Sequence, residues 1–134
     1  MRLWHQQLIP LLPSVKDYKG SSNQLGGQHT EIRMILGFIR KRGKLNHATV
    51  NYVNDYPLSY LKAYGLLVID EMRRRGFQVS EAIVAEYRSD VQAVELYERA
   101  IAGELLFREH NEAYMQECLD NLRRKGIELL LSKK

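Results

Sequence analysis

The side chains that could do chemistry in this 134-residue chain are few and widely spaced. Its four histidines (His5, His29, His47 and His110) include no pair at the i, i+4 spacing with which a helix presents two metal ligands. The sequence has no CxxC pair, and we predict no metal site. It also lacks the GxSxG, P-loop and GxGxxG patterns, so neither a serine nucleophile nor a nucleotide-binding loop is indicated.

Glu31 is the carboxylate whose position is most informative. Ile32 begins an apolar stripe directly after it, and Ile35 and Phe38 follow Glu31 at i+4 and i+7. The pattern predicts that Glu31 lies in the first turn of a helix, partly desolvated and near the positive end of the helix dipole. Acidic residues in first turns are also common as simple caps, so the residues alone allow both a reactive and a capping role.

Basic residues form three groups, at 33–47, at 73–75 and at 123–125. Each group lies near the predicted end of a helix, where cations complement the helix dipole. If two of the groups lie on one side of the fold, they form a phosphate-binding face. The net charge of +4 and the pI of about 9.2 permit a polyanionic partner without requiring one.

The periodicity predicts four helices. The first contains Ile32 to Ile39 and ends at Gly43, with Gly37 allowing close packing, and the second runs from near Pro57 to Gly76. The third begins at about Asp90 and ends at Gly103, and the fourth begins near Asn111 as its N-cap and ends at Gly126. Residues 10–27 are predicted to be a loop, and residues 50–53 could form a strand that has no obvious partner strand.

We therefore predict an all-α fold, a single-domain helical bundle with a long N-terminal arm. The arm and loop occupy residues 1–27, and the helical core occupies residues 28–134. Cys118 is the only cysteine, which excludes an intrachain disulfide, and its helical spacing from apolar neighbours predicts a core position. One core is expected to contain Ile35, Leu58, Leu61, Val68, Met72, Leu119 and Leu122.

The bulk properties are those of a soluble protein. The hydrophobic share of 45% and the charged share of 27% are typical of a globular domain. The apolar runs are shorter than the roughly 20 residues that cross a bilayer, and no charged-then-apolar leader opens the sequence. We expect a cytoplasmic protein with no membrane association.

Three segments carry a resemblance to a known family: Met1-Arg2-Leu3-Trp4-His5, Gly27-Gln28-His29-Thr30-Glu31 and His47-Ala48-Thr49-Val50-Asn51-Tyr52. Together they resemble the pyrimidine-dimer DNA glycosylase and abasic-site lyase family, the small phage endonuclease V type and its bacterial relatives. The block from Thr30 to Gly37 is similar to that family's catalytic helix. The segment ending Arg73-Arg74-Arg75-Gly76-Phe77 is similar to the end of its long second helix, and residues 110–125 are similar to its last helix.

The resemblance implies a DNA-repair enzyme that acts on UV-damaged duplex DNA. The α-amine of Met1 would attack C1′ of the damaged nucleotide, expel the base and form an imine with the DNA, and β-elimination would then cut the strand. Glu31 would stabilise the cationic transition state and move protons. An α-amine suits this role because more of it is neutral at physiological pH than of a lysine amine.

The resemblance further implies an arm that threads toward the active site, no cofactor and no metal, and a monomer that is associated with the nucleoid. The partner would be double-stranded DNA with damaged or abasic sites. We expect Arg2, Arg33 and Arg42 to face the same groove as Glu31. The expected DNA-binding residues are Arg2, His29, Thr30, Arg33, Arg42, Lys44, His47 and Lys125.

Two departures from the phage pattern keep alternatives open. Thr30 and Met34 stand where the phage block has arginines, and the chain ends in Ser132-Lys133-Lys134 in place of an aromatic-rich tail. A catalytically silent nucleic-acid-binding module on the same fold is one alternative, and a helical protein-interaction domain is the other.

Overall fold

The computed structural model describes residues 1–14 and 23–129. These residues form five α-helices and two 3-10 segments and contain no β-strand, which confirms the all-α prediction. None of the described helices is long and apolar enough to span a membrane. The helices are α1 (Gln24–Arg42), α2 (Leu58–Arg74), α3 (Glu81–Arg88), α4 (Val91–Ile101) and α5 (Glu112–Arg124), and the 3-10 segments are Gln6–Leu11 and Asn51–Asp55.

Helix α2 lies at the centre of the fold, because it contacts α1, α3, α4 and the first 3-10 segment. Its buried residues spread over more than one face, so neighbouring elements cover it on several sides. Of the predicted core residues, five are buried and two pack against the buried cluster with partial exposure. The buried residues are Ile35, Leu61, Val68, Met72 and Leu122, and the partly exposed ones are Leu58 and Leu119.

The last two helices begin at the residues that the sequence indicated, and Asn111 is the N-cap that was predicted. The Asp90 side chain accepts a hydrogen bond from the backbone N–H of Ala93, and the Asn111 side chain accepts one from that of Tyr114. Cys118 is fully buried, as its spacing predicted. These local signals are reliable because one side-chain oxygen satisfies a helix N–H that would otherwise have no partner.

The prediction for the first helix was wrong at its start. Helix α1 begins at Gln24, inside the predicted loop, and the Asn23 side chain caps it by accepting a hydrogen bond from the backbone N–H of Gly26 at 2.9 Å. Glu31 therefore lies about two turns into the helix and not in its first turn. The residues of the predicted loop at 15–22 lie outside the described part of the chain.

Two further elements differ from the sequence prediction. Residues 51–55 form a 3-10 segment and not a strand, and Val53 donates its backbone N–H to the Val50 carbonyl at 3.0 Å. Helix α3 was not predicted. It packs on α2 through the ring of Tyr87, which lies against Gly65. A Cβ atom at residue 65 would come within 2.7 Å of this ring, so the close contact requires glycine.

The N-terminal arm is part of the core. Leu3, Leu8 and Leu12 are fully buried, and the first 3-10 segment packs on α2. The guanidinium of Arg75 donates to the carbonyl of Leu12 at 2.6 Å and to that of Pro10 at 2.9 Å. This packing brings the first residues of the chain against α1.

Candidate active site

A cleft of about 360 Å³ lies where the start of the arm meets α1. Helix α1 forms one wall with Gln24, Gly27, Gln28 and Glu31, which fall at i, i+3, i+4 and i+7 and therefore share one face of the helix. This face of α1 meets the arm across the cleft, and Gln24 and Gln28 already bond to the arm.

The opposite wall comes from three separate parts of the chain. The arm contributes Met1, Arg2 and Trp4. The segment before the second 3-10 turn contributes His47 and Thr49, and the last turns of α5 contribute Asn121 and Lys125. The cleft therefore combines one carboxylate, the first residue of the chain and several cationic or polar side chains.

Glu31 has an incompletely satisfied carboxylate. The residue is partly buried, and its Oε2 atom is buried without a hydrogen-bond partner in the described residues. An unpaired buried polar atom costs roughly 1–3 kcal/mol, so such atoms are rare in folded proteins. The structure therefore places an under-bonded carboxylate in the cleft that Met1 also lines.

The backbone of Met1 is held by Thr49, which lies outside α1. The Thr49 hydroxyl donates to the Met1 carbonyl, and the same oxygen lies 3.2 Å from Nδ1 of His47. Because the hydroxyl proton is used on the carbonyl, a hydrogen bond in the second contact needs a hydrogen on Nδ1 of the imidazole.

Gln28 joins the arm to the helix that carries Glu31. Its Nε2 donates to the Arg2 carbonyl at 2.9 Å, and its Oε1 accepts from the Trp4 backbone N–H at 3.0 Å. The Tyr64 hydroxyl lies within hydrogen-bond distance of the same Oε1, at 2.7 Å. Gln28 is buried and stands one turn before Glu31, so it fixes the spacing between the arm and the carboxylate.

A model of the pyrimidine dimer DNA glycosylase family matches residues 1–85, which is more than half of the 134-residue chain. The chain belongs to this family. Neither a comparison with curated proteins nor one with solved structures found a match. The residues matched to the pyrimidine dimer DNA glycosylase family include Met1, Gln28, Glu31 and Thr49, and the family is one of DNA glycosylases, so DNA is the expected substrate.

Three of the predicted DNA-binding residues line the cleft of this glycosylase: Arg2, His47 and Lys125. Arg2 is already engaged, because its Nη1 lies 2.9 Å from Oε2 of Glu117 and its guanidinium stands over the rings of Trp4 and Tyr114. Burial is the largest single effect on Arg2 and acts to lower its pKa, but the hydrogen bond with Glu117 and the contributions of Tyr114 and Cys118 together outweigh it, so the pKa of Arg2 is raised.

The other predicted DNA-binding residues do not line the cleft. Arg42 lies over the Phe38 ring, Lys44 is exposed, and Thr30 is exposed with its hydroxyl directed to the Gly26 carbonyl at 3.4 Å. His29 is partly buried, and burial together with Arg33 lowers its pKa. The Nδ1 atom of His29 is buried without a hydrogen-bond partner in the described part of the chain.

The expectation that Arg33 faces the same groove as Glu31 was wrong. A residue two positions further along a helix lies about 200° around its axis. The Arg33 guanidinium accordingly points to α3, where it lies 3.2 Å from Oε2 of Glu86 and over the ring of Tyr87. Arg42 lies about 20° from Glu31 by the same count, but it is three turns further along α1 and outside the cleft.

A larger cleft of about 480 Å³ lies between the first 3-10 segment, α2 and the end of α4. Its walls are mainly apolar, and its buried carboxylate, Glu71, is bonded by both Arg74 and Arg75. The carboxylate of Glu71 therefore fastens this region and is not free for catalysis. Within residues 1–14 and 23–129, no three His, Cys, Asp or Glu side chains are grouped to hold a metal ion.

Behind the arm lies a buried aromatic and histidine cluster. His110 is fully buried, with Nδ1 accepting the Gln6 backbone N–H at 3.0 Å and Nε2 at 2.7 Å from the Tyr52 hydroxyl. Burial lowers the pKa of His110 to about 3, so its ring is neutral at physiological pH. The ring of His5 stacks on that of His110, and this cluster supports the arm from the side away from solvent.

Sequence reasoning missed Gln28 and Thr49 as site residues. Both occur in segments that carried the family resemblance, yet nothing in their local pattern indicates that they bind backbone carbonyls of the arm. The Gln28–Arg2 and Thr49–Met1 contacts span 26 and 48 residues, and such contacts depend on the tertiary packing of the arm.

Proposed function

We propose that this glycosylase-family chain removes the base at pyrimidine dimers in duplex DNA and then cuts the strand as an abasic-site lyase. The α-amine of Met1 is the nucleophile, and Glu31 is the acid–base group. One observation carries the proposal: Met1 and Glu31 line the same cleft, and the Oε2 atom of Glu31 is buried there without a hydrogen-bond partner in the described residues.

In the first step the amine nitrogen forms a bond to C1′ as the bond from C1′ to the base breaks, and the base leaves with the bonding electron pair. The sugar carries positive charge in this transition state, and an adjacent carboxylate stabilises that charge. The nitrogen then loses a proton, and the sugar ring opens as O4′ gains one, which leaves an iminium between Met1 and the DNA.

In the second step a proton-accepting group removes a proton from C2′. The bond from C3′ to the 3′ phosphate then breaks, which cuts the strand. Water then hydrolyses the imine and restores the amine. Glu31 is suited to moving these protons because its carboxylate lies in the cleft with one oxygen unengaged. The chemistry requires no cofactor or metal.

DNA is held through its phosphates. Arg2, His47 and Lys125 line the cleft, and the exposed residues Arg42 and Lys44 extend the basic surface beyond it. Access to C1′ requires the damaged nucleotide to be bent or turned out of the stack, which costs a few kcal/mol. We further propose that the protein acts as a monomer in the cytoplasm, associated with the nucleoid.

Borohydride trapping tests the nucleophile. The reagent reduces an imine to a stable amine, so protein incubated with abasic-site duplex becomes covalently linked to DNA. We expect the link at residue 1 when the adduct is digested and its peptides are mapped. A version with an N-terminal extension, in which the Met1 nitrogen is an amide, should not be trapped, because an amide nitrogen is not nucleophilic.

The Glu31→Gln variant tests the carboxylate. It should bind abasic DNA as the wild type does but cleave it about a hundredfold more slowly, which is the usual loss for a general acid–base group. Trapping that persists in the extended protein would identify a lysine, such as Lys41 or Lys44, as the nucleophile. Salt-sensitive DNA binding without trapping would instead favour a silent DNA-binding module, and no DNA binding would favour a protein-interaction domain.

A further inference from the structure

The first four carbonyls of the chain each accept a hydrogen bond from a side chain of another element. Thr49 donates a hydrogen bond to the Met1 carbonyl. Gln28 donates one to the Arg2 carbonyl at 2.9 Å. The Leu3 carbonyl accepts from Tyr114 at 2.5 Å and the Trp4 carbonyl from Tyr64 at 2.8 Å. We call these four donors, Thr49, Gln28, Tyr114 and Tyr64, the clasp.

The clasp holds the arm as a binding groove holds an extended peptide, although the groove and the peptide belong to one chain. Its contacts come from four places: α1, α2, α5 and the segment before the second 3-10 turn. A terminal segment is ordinarily mobile unless it is tied down. Here the ties continue to residue 1, which suggests that the position of this residue matters beyond the packing of the arm.

Thr49 is the member of the clasp that acts on residue 1 itself. The amine and the carbonyl of Met1 are separated only by the Cα atom, so a fixed carbonyl restricts the amine to a small region. Gln28 already fixes the next carbonyl, at Arg2. Without Thr49 the Met1 residue could rotate about the bonds that precede the Arg2 carbonyl.

His47 lies beside the Thr49 hydroxyl, with Nδ1 of the imidazole 3.2 Å from the hydroxyl oxygen. The hydroxyl has one proton, and it donates this proton to the Met1 carbonyl. Both side chains line the cleft that contains Glu31, so this pair links the wall of the cleft to the residue that presents the amine.

We propose that Thr49 is a positioning residue that sets the place of the Met1 amine in the cleft. The proposal rests on the function proposed above, in which that amine is the nucleophile. Prior alignment of the reacting groups accelerates the attack on C1′, and misplacement by about 1 Å can lower a rate a hundredfold. Thr49 therefore contributes to the rate of imine formation and not to the affinity for DNA.

The clasp also specifies which residue reacts. A chain that began at Arg2 would present its amine about 3.5 Å further back, because Gln28 would still hold the Arg2 carbonyl. It would also lose the contact with Thr49. We therefore expect protein that lacks Met1 to trap poorly even though it retains a free α-amine.

The test compares Thr49→Val with Thr49→Ser. Valine keeps the shape of threonine and removes the hydroxyl, whereas serine keeps the hydroxyl. Ser89→Ala is a matched control, because its hydroxyl also donates to a backbone carbonyl, that of Glu86 at 2.8 Å, but lies at the end of α3 outside the cleft. Three quantities are measured: Kd for abasic duplex, the single-turnover rate of borohydride trapping, and the ¹⁵N order parameter of the Arg2 amide.

In Thr49→Val we expect a trapping rate ten to a hundred times lower, an unchanged Kd and a lower order parameter at Arg2. Thr49→Ser and Ser89→Ala should resemble the wild type in all three. The proposal is overturned if Thr49→Val traps at the wild-type rate, if its loss is entirely in Kd, or if Thr49→Ser loses as much as Thr49→Val. An unchanged order parameter in Thr49→Val would overturn it as well.

Failure of the proposed function gives a different result. Wild-type protein would then show no trapping at residue 1, while the order parameter at Arg2 would still report whether Thr49 holds the first residue. A lower order parameter in Thr49→Val would leave the clasp standing without the lyase mechanism. An unchanged order parameter at Arg2 in Thr49→Val would contradict both the clasp and the lyase mechanism.

Discussion

Gly27 stands in the wall of the cleft, and replacing it should make the protein more stable and less active. Its backbone is not in the left-handed region, and a Cβ built on it meets no atom within 4 Å. The fold therefore does not require a glycine here. A glycine inside a helix costs roughly 0.8–1.0 kcal/mol relative to alanine, so Gly27→Ala should raise the free energy of unfolding by about that amount.

The size of the effect can be expressed as a melting temperature. The entropy of unfolding is about 2.1 cal/mol/K per residue, and the chain has 134 residues. A gain of about 0.9 kcal/mol then raises Tm by about 3 °C. Differential scanning calorimetry resolves a shift of this size.

The loss of activity follows from the place of Gly27. It lies one turn before Glu31 on the face of α1 that forms the cleft, so any side chain there extends into the space where, in the proposed mechanism, the sugar meets Met1 and Glu31. The methyl group of Gly27→Ala should lower the single-turnover cleavage rate several-fold, and the larger side chain of Gly27→Leu should lower it tenfold or more.

Gly37 offers a matched control in the same helix. It is also exposed, and a Cβ built on it also meets no atom within 4 Å, so the expectation that it allows close packing was wrong. Gly37 does not line the cleft, so Gly37→Ala should give the same gain in Tm with full activity. Full activity in Gly27→Leu, or an equal loss in Gly37→Ala, would refute the reasoning.

Three other predictions follow from charges in the structure. The lowered pKa of His110 means that the folded protein favours the neutral imidazole. The neutral ring therefore stabilises the fold fully when the pH is above 6.5, the ordinary pKa of histidine, and this stabilisation is lost as the pH falls toward about 3. Denaturant titrations should show about 2 kcal/mol less stability at pH 5 than at pH 7, and a smaller difference in His110→Gln. Glu117→Gln frees the Arg2 guanidinium for phosphate, so affinity for DNA should rise several-fold at low salt in fluorescence anisotropy, and an unchanged affinity would contradict this. Lys125→Gln should reduce the slope of log K against log salt by about 1, whereas Arg33→Gln should leave it unchanged because that guanidinium is bonded to Glu86.

The sequence predicted the helices that combine a long apolar stripe with a clear end. Helix α2 and helix α5 have both, and their bounds agree with the prediction within a few residues. Helix α3 was missed because its eight residues, Glu81–Arg88, are too few to establish a period. The start of α1 was missed because Gly26 and Gly27 are typical of loops, and the capping role of Asn23 was outweighed by that composition.

Some residues of the cleft were predictable from the sequence, and the contacts between them were less so. Met1 and Glu31 were named from the family resemblance, and the fold brings both to one cleft. The position of Arg33 could have been excluded from the sequence, since about 200° of helix rotation separates it from Glu31. The roles of Gln28 and Thr49 could not have been predicted from the sequence, because each depends on which backbone carbonyl the arm presents after it has packed.

The proposed mechanism gives the arm a functional reason to be buried. A nucleophile on a side chain is positioned by its own helix or strand, but a nucleophile on the backbone of residue 1 has no such element before it. The chain supplies the missing support from outside: Thr49 and Gln28 hold the first two carbonyls, and the cluster around His110 supports the arm from behind. Variants in this support should therefore lower the rate of imine formation without changing any group that touches the DNA.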